Sequence, residues 1–325
     1  MNAIVNEEYG PLEVLQLKEV EKPTPKDNEV LVKIFAASVN FGDKILVRGK
    51  PFLVRLMGMG LLKPKNTILG TDIAGQVEAV GRNVTQFQPG DEVFGDIGAC
   101  GFGAFAEYVS IPENALTLKP VNMTYEEAAA VPQAAVVALQ GLRDKGQIQS
   151  GQKVLINGAS GGIGTFAVQI AKSYETEVTG VCSTRNLEMV HSIGADYVVD
   201  YTQEDFTQNE QRYDLILDIV VNRSISDYTR VLSPKGVYVA VKFNPSALFL
   251  GPLISMTGSK KVSQLTQKPN VKDLVFIKEL IEAGKVAPVI DRRYPLGEVA
   301  EAMRYLEEGQ HKGKVVITVE HNTDT

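Results

Sequence analysis

The stretch that decides the fold reads VLINGASGGIG over residues 154–164 and continues directly as TFAVQIAK over residues 165–172. It begins as an apolar strand, turns through closely spaced glycines, and proceeds with apolar residues at helical spacing. Glycines at these positions suit a tight turn, close approach of the backbone to a pyrophosphate, and close packing of a helix on a strand. The helix start offers unpaired N–H groups to an anion. The stretch therefore predicts a dinucleotide site.

Regular alternation of strands and helices surrounds this turn. The strand-like segments are residues 154–157, 178–182, 197–200, 214–219 and 236–241. Such alternation predicts a parallel sheet with crossover helices. The first ~120 residues have a different pattern, with short β segments separated by glycine and proline. A chain of 325 residues is long enough for two such domains.

Composition excludes several classes of protein. The net charge of −6 argues against a partner that is recognised through its phosphate backbone, so no nucleic acid is expected. No apolar run reaches the ~20 residues that a membrane span needs, and no membrane partner is expected. The first residues lack the basic and apolar regions of a signal peptide. Cys100 and Cys182 lie far apart, which is typical of a reducing compartment, and we expect a cytoplasmic protein.

The end of the second predicted strand of the alternating region indicates which dinucleotide binds. In NAD sites an acidic residue there usually holds the ribose 2′-hydroxyl. Here the strand is followed by Ser183, Thr184 and Arg185. Two hydroxyls and a guanidinium suit a 2′-phosphate, which a carboxylate would repel. The alternative is that Ser183 caps the next helix and Arg185 is solvated. We predict NADPH.

Further motifs give the chain a family resemblance. They are GTDIAG at 70–75, GRNVTQFQPGDEVF at 81–94, GAFAEY at 103–108 and GKVVI at 313–317. Together with the glycine turn, they resemble the medium-chain dehydrogenase/reductase superfamily, and most of all its zinc-independent quinone oxidoreductase and enone reductase branch. The resemblance covers nearly the whole chain.

This resemblance implies an α/β fold with two domains. A Rossmann domain, with a doubly wound parallel sheet that binds NADPH, would span residues 123–265. A GroES-like, mainly β catalytic domain would combine residues 1–122 and 266–325. Cofactor and substrate would lie in the cleft between the domains.

The resemblance also implies that no metal is bound. Asn40 aligns with the first zinc-binding cysteine of the zinc-dependent relatives, and Thr71, followed by Asp72, aligns with their zinc-binding histidine. Neither replacement is a ligand of the type that catalytic zinc prefers. None of the chain's three histidines is near these positions in the sequence.

Individual contacts follow from the resemblance. Asn40 would lie near the nicotinamide and the substrate carbonyl, unless it is only a satisfied loop amide. Tyr201 would lie near the adenosine or serve as a packing tyrosine, and Phe243 would edge the nicotinamide site or belong to the core. The complete set of expected cofactor contacts is Asn40, Gly158, Ser160, Gly161, Gly162, Ile163, Gly164, Ser183, Thr184, Arg185, Tyr201, Asp218, Ile219, Val220 and Phe243.

The predicted chemistry is hydride transfer from NADPH to a small electrophilic acceptor. Without a metal the acceptor must already be electron-poor, as quinones and α,β-unsaturated carbonyls are. Asn40 and backbone N–H groups would stabilise the acceptor oxygen. Asp43 is the candidate proton donor, and water is the alternative. Because the family often joins its sheet edges, we expect a homodimer.

Three other functions stay open at this point. They are a zinc-type alcohol dehydrogenase, an enoyl-thioester reductase, and an NADPH-binding sensor or structural protein without turnover.

Overall fold

The computed structural model describes residues 1–321, which divide into two compact units. Unit 1 comprises Met1–Gln133, Pro269–Glu282 and the described residues from 290 onward. Unit 2 comprises Ala134–Lys268 and Ala283–Val289. Residues 322–325, which the sequence analysis assigns to the catalytic domain, lie outside the described residues. Within residues 1–321 no helix combines the length and the apolar character that crossing a membrane requires.

The strands in chain order are β1 (Asn2–Val5), β2 (Gln16–Glu19), β3 (Glu29–Val39), β4 (Asp72–Val80), β5 (Glu92–Asp96), β6 (Tyr108–Pro112), β7 (Thr117–Leu118), β8 (Lys153–Asn157), β9 (Glu177–Cys182), β10 (Tyr197–Asp200), β11 (Tyr213–Asp218), β12 (Leu232–Ala240), β13 (Lys261–Gln264), β14 (Ile290–Pro295) and β15 (Lys314–Thr318).

The α-helices are α1 (Phe41–Arg48), α2 (Tyr125–Ala129), α3 (Pro132–Leu139), α4 (Gly162–Ser173), α5 (Leu187–Ser192), α6 (Ile225–Arg230), α7 (Pro245–Thr257), α8 (Val271–Glu282) and α9 (Val299–Glu307). Short 3₁₀ turns form at Leu12–Val14, Gly98–Cys100, Glu113–Ala115, Thr184–Asn186 and Leu296–Glu298, and π-helical turns at Arg55–Met59 and Gln140–Lys145.

Unit 2 contains the predicted parallel sheet. Its six strands lie in the order β10-β9-β8-β11-β12-β13, and every neighbouring pair is parallel. Read from β8 onward, this is the 3-2-1-4-5-6 order of a doubly wound dinucleotide-binding fold. The prediction of a Rossmann sheet is confirmed. The edge strand β13 was not predicted, because its sequence KVSQ buries only Val262 and carries no apolar pattern.

Unit 1 is mainly β, as predicted. One sheet of the described residues has the order β14-β15-β3-β4-β5-β7, with β6 also paired to β3, and β1 pairs with β2 separately. The long strand β3 has alternating and then continuous burial, since β4, β6 and β15 all pair with it. A core that includes Ile34, Ile73, Phe105 and Val315 fills the interior. The C-terminal strand belongs to this unit through its pairing with β3.

The boundaries of the units depend on packing that the sequence pattern does not display. Residues 123–133 stay with unit 1 because α2 packs on β3 and β4, with the rings of Tyr125 and Phe35 stacked 4.6 Å apart. The predicted division lay at residue 122. On the C-terminal side, 283–289 return to unit 2, where Gln169 exchanges two hydrogen bonds of 2.8 Å with the backbone of Ala287.

The glycine turn between β8 and α4 leaves no room for side chains at two of its positions. Gly158 has φ +91°, a left-handed conformation that favours glycine. A Cβ on Gly164 would lie 2.0 Å from the Gly158 carbonyl oxygen and 2.8 Å from the Cα of Ala159. A Cβ on Gly161 would have only the Gly158 carbonyl oxygen nearby, at 3.6 Å. Gly164 therefore serves packing, while Gly161 has space beside it.

We predict that Gly164→Ala lowers the free energy of unfolding by ~1–3 kcal/mol, the usual cost of overpacking, because the carbonyl of Gly158 cannot move without opening the turn. Chemical denaturation measures this. Gly161→Ala is the matched control and is expected to cost below ~1 kcal/mol. Equal stability of the two variants would contradict the packing role of Gly164.

Candidate active site

The predicted cofactor residues of unit 2 gather at one edge of the parallel sheet. In a doubly wound sheet, ligands bind outside the carboxyl ends of the strands. Here the glycine turn follows β8, residues 183–185 follow β9, Tyr201 follows β10, residues 219–220 follow β11, and Phe243 follows β12. The predicted residues thus lie directly after the carboxyl ends of five parallel strands, at the same edge of the sheet.

A buried hydrogen-bond network fixes the backbone beneath this edge. Asn157 Nδ2 donates to Asp218 Oδ1 at 2.8 Å and to the Tyr228 hydroxyl at 3.1 Å. The Tyr238 hydroxyl donates to Asp218 Oδ2 at 2.7 Å, and burial followed by the Asp218 charge raises the pKa of that tyrosine. Asp218 Oδ1 also accepts from the second and third backbone N–H groups after it. The Asp218 side chain is therefore structural, and the backbone remains for ligand contact.

Asn186 joins two predicted phosphate-binding hydroxyls and was missed by the sequence analysis. Its buried Nδ2 donates to Ser160 Oγ at 3.1 Å and to Ser183 Oγ at 3.3 Å. Ser183 precedes the 3₁₀ turn at Thr184–Asn186 but makes no side-chain capping hydrogen bond to it. The interpretation of Ser183 as a helix cap is therefore not what the structure has. An asparagine three residues after the serine was the only signal in the sequence.

A carboxylate lies close to the predicted 2′-phosphate site. Thr184 Oγ1 donates to Asp200 Oδ2. The pKa of the Asp200 carboxyl lies below its ordinary value, and this hydrogen bond is the largest cause of the lowering. The hydroxyl hydrogen of Thr184 is therefore already used within the chain. Arg185 is exposed, and Tyr201 is 52% exposed, with its backbone N–H donating to the carbonyl of Cys182.

The other predicted contacts of unit 2 present accessible surface. Ile219 is half-buried, Val220 is exposed, and its Cγ2 limits the space beside Gly158. Phe243 is 67% exposed, so the alternative that it is an ordinary core residue is wrong. These side chains are available to a ligand at this edge.

In unit 1, Asn40 lies in a buried polar cluster at three strand ends. Asn40 follows β3, Thr71 directly precedes β4, Asp72 begins β4, and Lys314 begins β15. Asn40 Nδ2 donates to Thr71 Oγ1 and to Asp72 Oδ2, both at 3.0 Å. The Lys314 ammonium donates to Asn40 Oδ1 at 2.6 Å and lies 3.4 Å from Asp72 Oδ2. Both N–H groups of the Asn40 amide are thus used within the chain.

Asp72 is the most completely coordinated member of this cluster. Its Oδ2 also accepts from Ser38 Oγ at 2.9 Å, and its Oδ1 accepts from the backbone N–H of Gln133 at 3.0 Å. The Gln133 side chain approaches Thr71 Oγ1 at 3.5 Å. A buried charge is tolerated when it is paired and hydrogen-bonded in this way.

Asp43 is buried next to this cluster, in the first turn of α1. Its Oδ2 accepts from the backbone N–H of Asn40 at 2.7 Å, while its buried Oδ1 has no partner among residues 1–321. Burial raises the pKa of Asp43 to about 7, a rise opposed by the Asn40 hydrogen bond and reinforced by the charge of Asp72. A carboxyl group that titrates near neutrality can hold or release a proton, as the predicted donor must.

The donors of this cluster do not fit zinc. Catalytic zinc takes thiolate, imidazole and carboxylate ligands, whereas Asn40 and Thr71 offer an amide and a hydroxyl. The Lys314 ammonium lies where it would repel a metal cation. Throughout the part of the chain that the structure describes, no three His, Cys, Asp or Glu side chains are grouped so as to hold a metal.

Lys314 is the functional candidate that sequence reasoning missed. It is the first residue of an apolar strand, and a lysine at such a position is usually interpreted as a solvated end of the strand. Because Val315 pairs with Val39 in the antiparallel β15–β3 ladder, Lys314 is brought opposite Asn40, 274 residues away in the chain. The GKVVI motif contained this residue, but only the register of the two strands shows its partner.

Comparison with known proteins agrees with this fold. The family model described as alcohol dehydrogenase GroES-like domain matches residues 26–121, and that described as zinc-binding dehydrogenase matches residues 193–317.

The chain is similar to individual enzymes over nearly its whole length. A 2-methylene-furan-3-one reductase of Solanum lycopersicum is 36% identical, over 95% of this chain and 77% of the relative. A chloroplastic NADPH-dependent alkenal/one oxidoreductase of Arabidopsis thaliana is 32% identical, over 98% of this chain and 79% of the relative. The solved structure of the quinone oxidoreductase from Coxiella burnetii superposes with a TM-score of 0.88 at 28% identity, covering 98% of this chain and 99% of that one.

The chain therefore belongs to the medium-chain dehydrogenase/reductase superfamily, among its quinone oxidoreductases and enone reductases. It is an oxidoreductase enzyme of that superfamily. The resemblance inferred from the sequence motifs is confirmed.

We predict that Asp43 makes the protein less stable as the pH rises. Between the ordinary pKa of 3.8 and the folded value of about 7, the folded chain keeps a proton that the unfolded chain has lost. The stability that this carboxyl contributes is complete below the lower value and is lost as pH rises through the higher one, by up to about 1.4 kcal/mol per pH unit.

Asp43→Asn removes this contribution while keeping an acceptor for the Asn40 N–H. Urea unfolding of both proteins at pH 5 and pH 7 measures it. The advantage of the wild type over the variant is expected to shrink at pH 7, and a difference that does not change with pH would show that Asp43 titrates normally.

Proposed function

We propose that the chain is an NADPH-dependent, zinc-independent oxidoreductase that transfers hydride to a quinone or an α,β-unsaturated carbonyl compound. The observation that carries this proposal is the polar cluster of unit 1, where an amide, a hydroxyl and an ammonium replace a metal-binding donor set. Such a cluster can stabilise an oxygen that gains charge but cannot act as a strong Lewis acid. An electron-poor acceptor suits it best, and the three relatives are named for enones, alkenals and quinones.

The glycine turn of unit 2 suits the cofactor. The space beside Gly161, the hydroxyl of Ser160 held by Asn186, and the N-terminal end of α4 support binding of the pyrophosphate. Ser183 and Arg185 would hold the 2′-phosphate, since Thr184 is committed to Asp200. One relative is named as NADPH-dependent, which supports the same choice. When bound, NADPH supplies a hydride, that is, a proton with two electrons.

The movement of electrons in the acceptor determines which groups the protein must supply. Hydride adds to an electrophilic carbon, a C–H bond forms, and the displaced π electrons move to the conjugated carbonyl oxygen. The oxygen becomes an oxyanion that needs hydrogen-bond donors, and a proton must arrive to complete the product. The polar cluster around Asn40 would stabilise the oxygen, and either Asp43 or water would supply the proton.

Oxidation of NADPH in the presence of a panel of acceptors tests this function. We expect turnover with 1,4-benzoquinone, naphthoquinones or 2-alkenals, little with simple ketones, and no loss of rate after treatment with a chelator. Stoichiometric zinc whose removal abolishes turnover would favour an alcohol dehydrogenase. Turnover of crotonyl thioesters alone would favour an enoyl-thioester reductase. Tight NADPH binding without oxidation would favour a sensor.

The same assay with NADH checks the cofactor. Arg185→Ala is expected to lower the preference for NADPH over NADH by about tenfold, because a charge-assisted hydrogen bond to the phosphate is lost. Lys235→Ala, another basic residue of unit 2, is the control. An unchanged preference in the Arg185 variant would remove Arg185 from the phosphate site.

We also propose a homodimer that forms through unit 2. The strand β13 lies at an edge of the described sheet, and the adjoining helix α7 exposes Phe249, Leu253 and Met256. Unpaired edges and contiguous apolar surface are typical of interfaces. Light scattering after size-exclusion chromatography is expected to give twice the 35.4 kDa chain mass, reduced to a single chain in Phe249→Glu. A monomeric wild type would contradict this proposal.

The proposed compartment is the cytoplasm. Cys100 and Cys182 are both unpaired, which supports a reducing environment.

A further inference from the structure

We propose that Thr71 is a catalytic residue whose hydroxyl donates a hydrogen bond to the carbonyl oxygen of the acceptor, and that Lys314 and Asn40 are positioning residues that orient this hydroxyl. The inference rests on the proposed hydride transfer and names the donor that would stabilise the acceptor oxygen. It departs from the expectation that the Asn40 amide itself touches the substrate.

Lys314 sets the orientation of the Asn40 amide. An ammonium group carries only donors, so the atom 2.6 Å from Lys314 Nζ has to be the amide oxygen. The amide nitrogen then points the other way, toward Thr71 Oγ1 and Asp72 Oδ2. Lys314 thus decides which way the Asn40 side chain is turned, and Asp72 reinforces that choice by accepting from the nitrogen.

Asn40 and Gln133 determine the direction of the Thr71 hydroxyl. Its oxygen accepts from Asn40 Nδ2 at 3.0 Å and from Gln133 Nε2 at 3.5 Å. In both of these hydrogen bonds, Thr71 Oγ1 is the acceptor. A hydroxyl also carries one hydrogen that it can donate. Because Asn40 Nδ2 donates to the Thr71 oxygen, the hydroxyl hydrogen points away from Asn40.

The members of the cluster differ in how deeply they are buried. Ser38 and Asp72 are completely buried, whereas Thr71 and Asn40 retain 5% and 7% exposure. The proposed acceptor would therefore reach the cluster at Thr71 and Asn40, its two most exposed members, and of these only Thr71 has a donor that is not already used within the cluster. Thr71 is the group that can receive a developing oxyanion.

The buried Lys314 ammonium strengthens the hydrogen bonds of this cluster. Hydrogen bonds in a chain polarise one another, most strongly where the surroundings exclude water. The ammonium withdraws electron density from the Asn40 carbonyl, which makes its N–H a stronger donor to Thr71 Oγ1. The Thr71 hydroxyl in turn becomes a stronger donor. The cation thus acts on the acceptor oxygen through two intervening groups without touching it.

The test compares Thr71→Val with Thr71→Ser. Valine keeps the shape and removes the hydroxyl, so kcat with an enone or quinone is expected to fall about 100-fold, as on removal of one oxyanion donor. The NADPH dissociation constant, measured by fluorescence, should not change. Serine restores the hydroxyl and should recover kcat to within about fivefold of the wild type. Full activity in the valine variant, or equal loss in both variants, would overturn the proposal.

A double-mutant cycle tests the positioning role of Lys314. Lys314→Met is expected to lower kcat about tenfold in the wild type and to change it little in Thr71→Val, since the group through which it acts is absent. Additive losses would refute the coupling. If Lys314→Met does not fold, Asn40→Ala takes its place in the same cycle, because it interrupts the same connection.

Lys119 provides a matched control. It is a buried lysine of unit 1, its ammonium donates to the carbonyl of Met123, and it lies outside the polar cluster. Lys119→Met should lower stability but leave kcat unchanged. A wild-type protein that reduces no acceptor would overturn the proposed function itself, whereas an active wild type with an equally active Thr71→Val would overturn only this inference.

Discussion

The pairing of β15 with β3 joins two segments that lie far apart in the sequence, and it supports both the core of unit 1 and its polar cluster. Val315 lies opposite Val39 in this antiparallel ladder, and both side chains are buried in the same core. The same register brings Lys314 to Asn40 and Asp72. Displacement by one residue would turn Val315 and Ile317 away from this core, put Val316 in their place and remove the cation from the cluster. Core packing and the electrostatics of the candidate site therefore depend on one alignment.

Buried charge is organised differently in the two units. In unit 1 the carboxylate of Asp72 lies near a cation and accepts from a hydroxyl, an amide and a backbone N–H. In unit 2 the carboxylate of Asp218 is held by Asn157, Tyr238 and backbone N–H groups, with no cation paired to it among residues 1–321. The first arrangement places charge near groups that can meet a ligand. The second holds the backbone of the cofactor edge in place.

Apart from β13, the succession of strands in unit 2 could be predicted from the sequence because these segments have a local apolar pattern. The strands of the alternating region were predicted to within a few residues, and the glycine turn lies where the motif indicated. Contacts between distant positions could not be obtained in this way. Asn186 bridges Ser160 and Ser183, Asp200 receives Thr184, and Lys314 meets Asn40 only because strands adopt a particular order and register. A motif shows which residue types are present, whereas tertiary pairing selects their partners. The exposed Phe243 was equally beyond the pattern, because apolar character alone does not reveal burial.

The division of unit 1 into three separate segments has a consequence for synthesis on the ribosome. Unit 2 uses residues 134–268 and 283–289, so every strand of its sheet is available once residue 289 has emerged. Unit 1 starts earlier but cannot complete β3 until β15 arrives, near the end of the chain. Domains generally fold as units during translation. Unit 1 therefore begins before unit 2 and is completed after it, and one edge of β3 and the polar groups around Asn40 remain without their final strand until β15 has been synthesised.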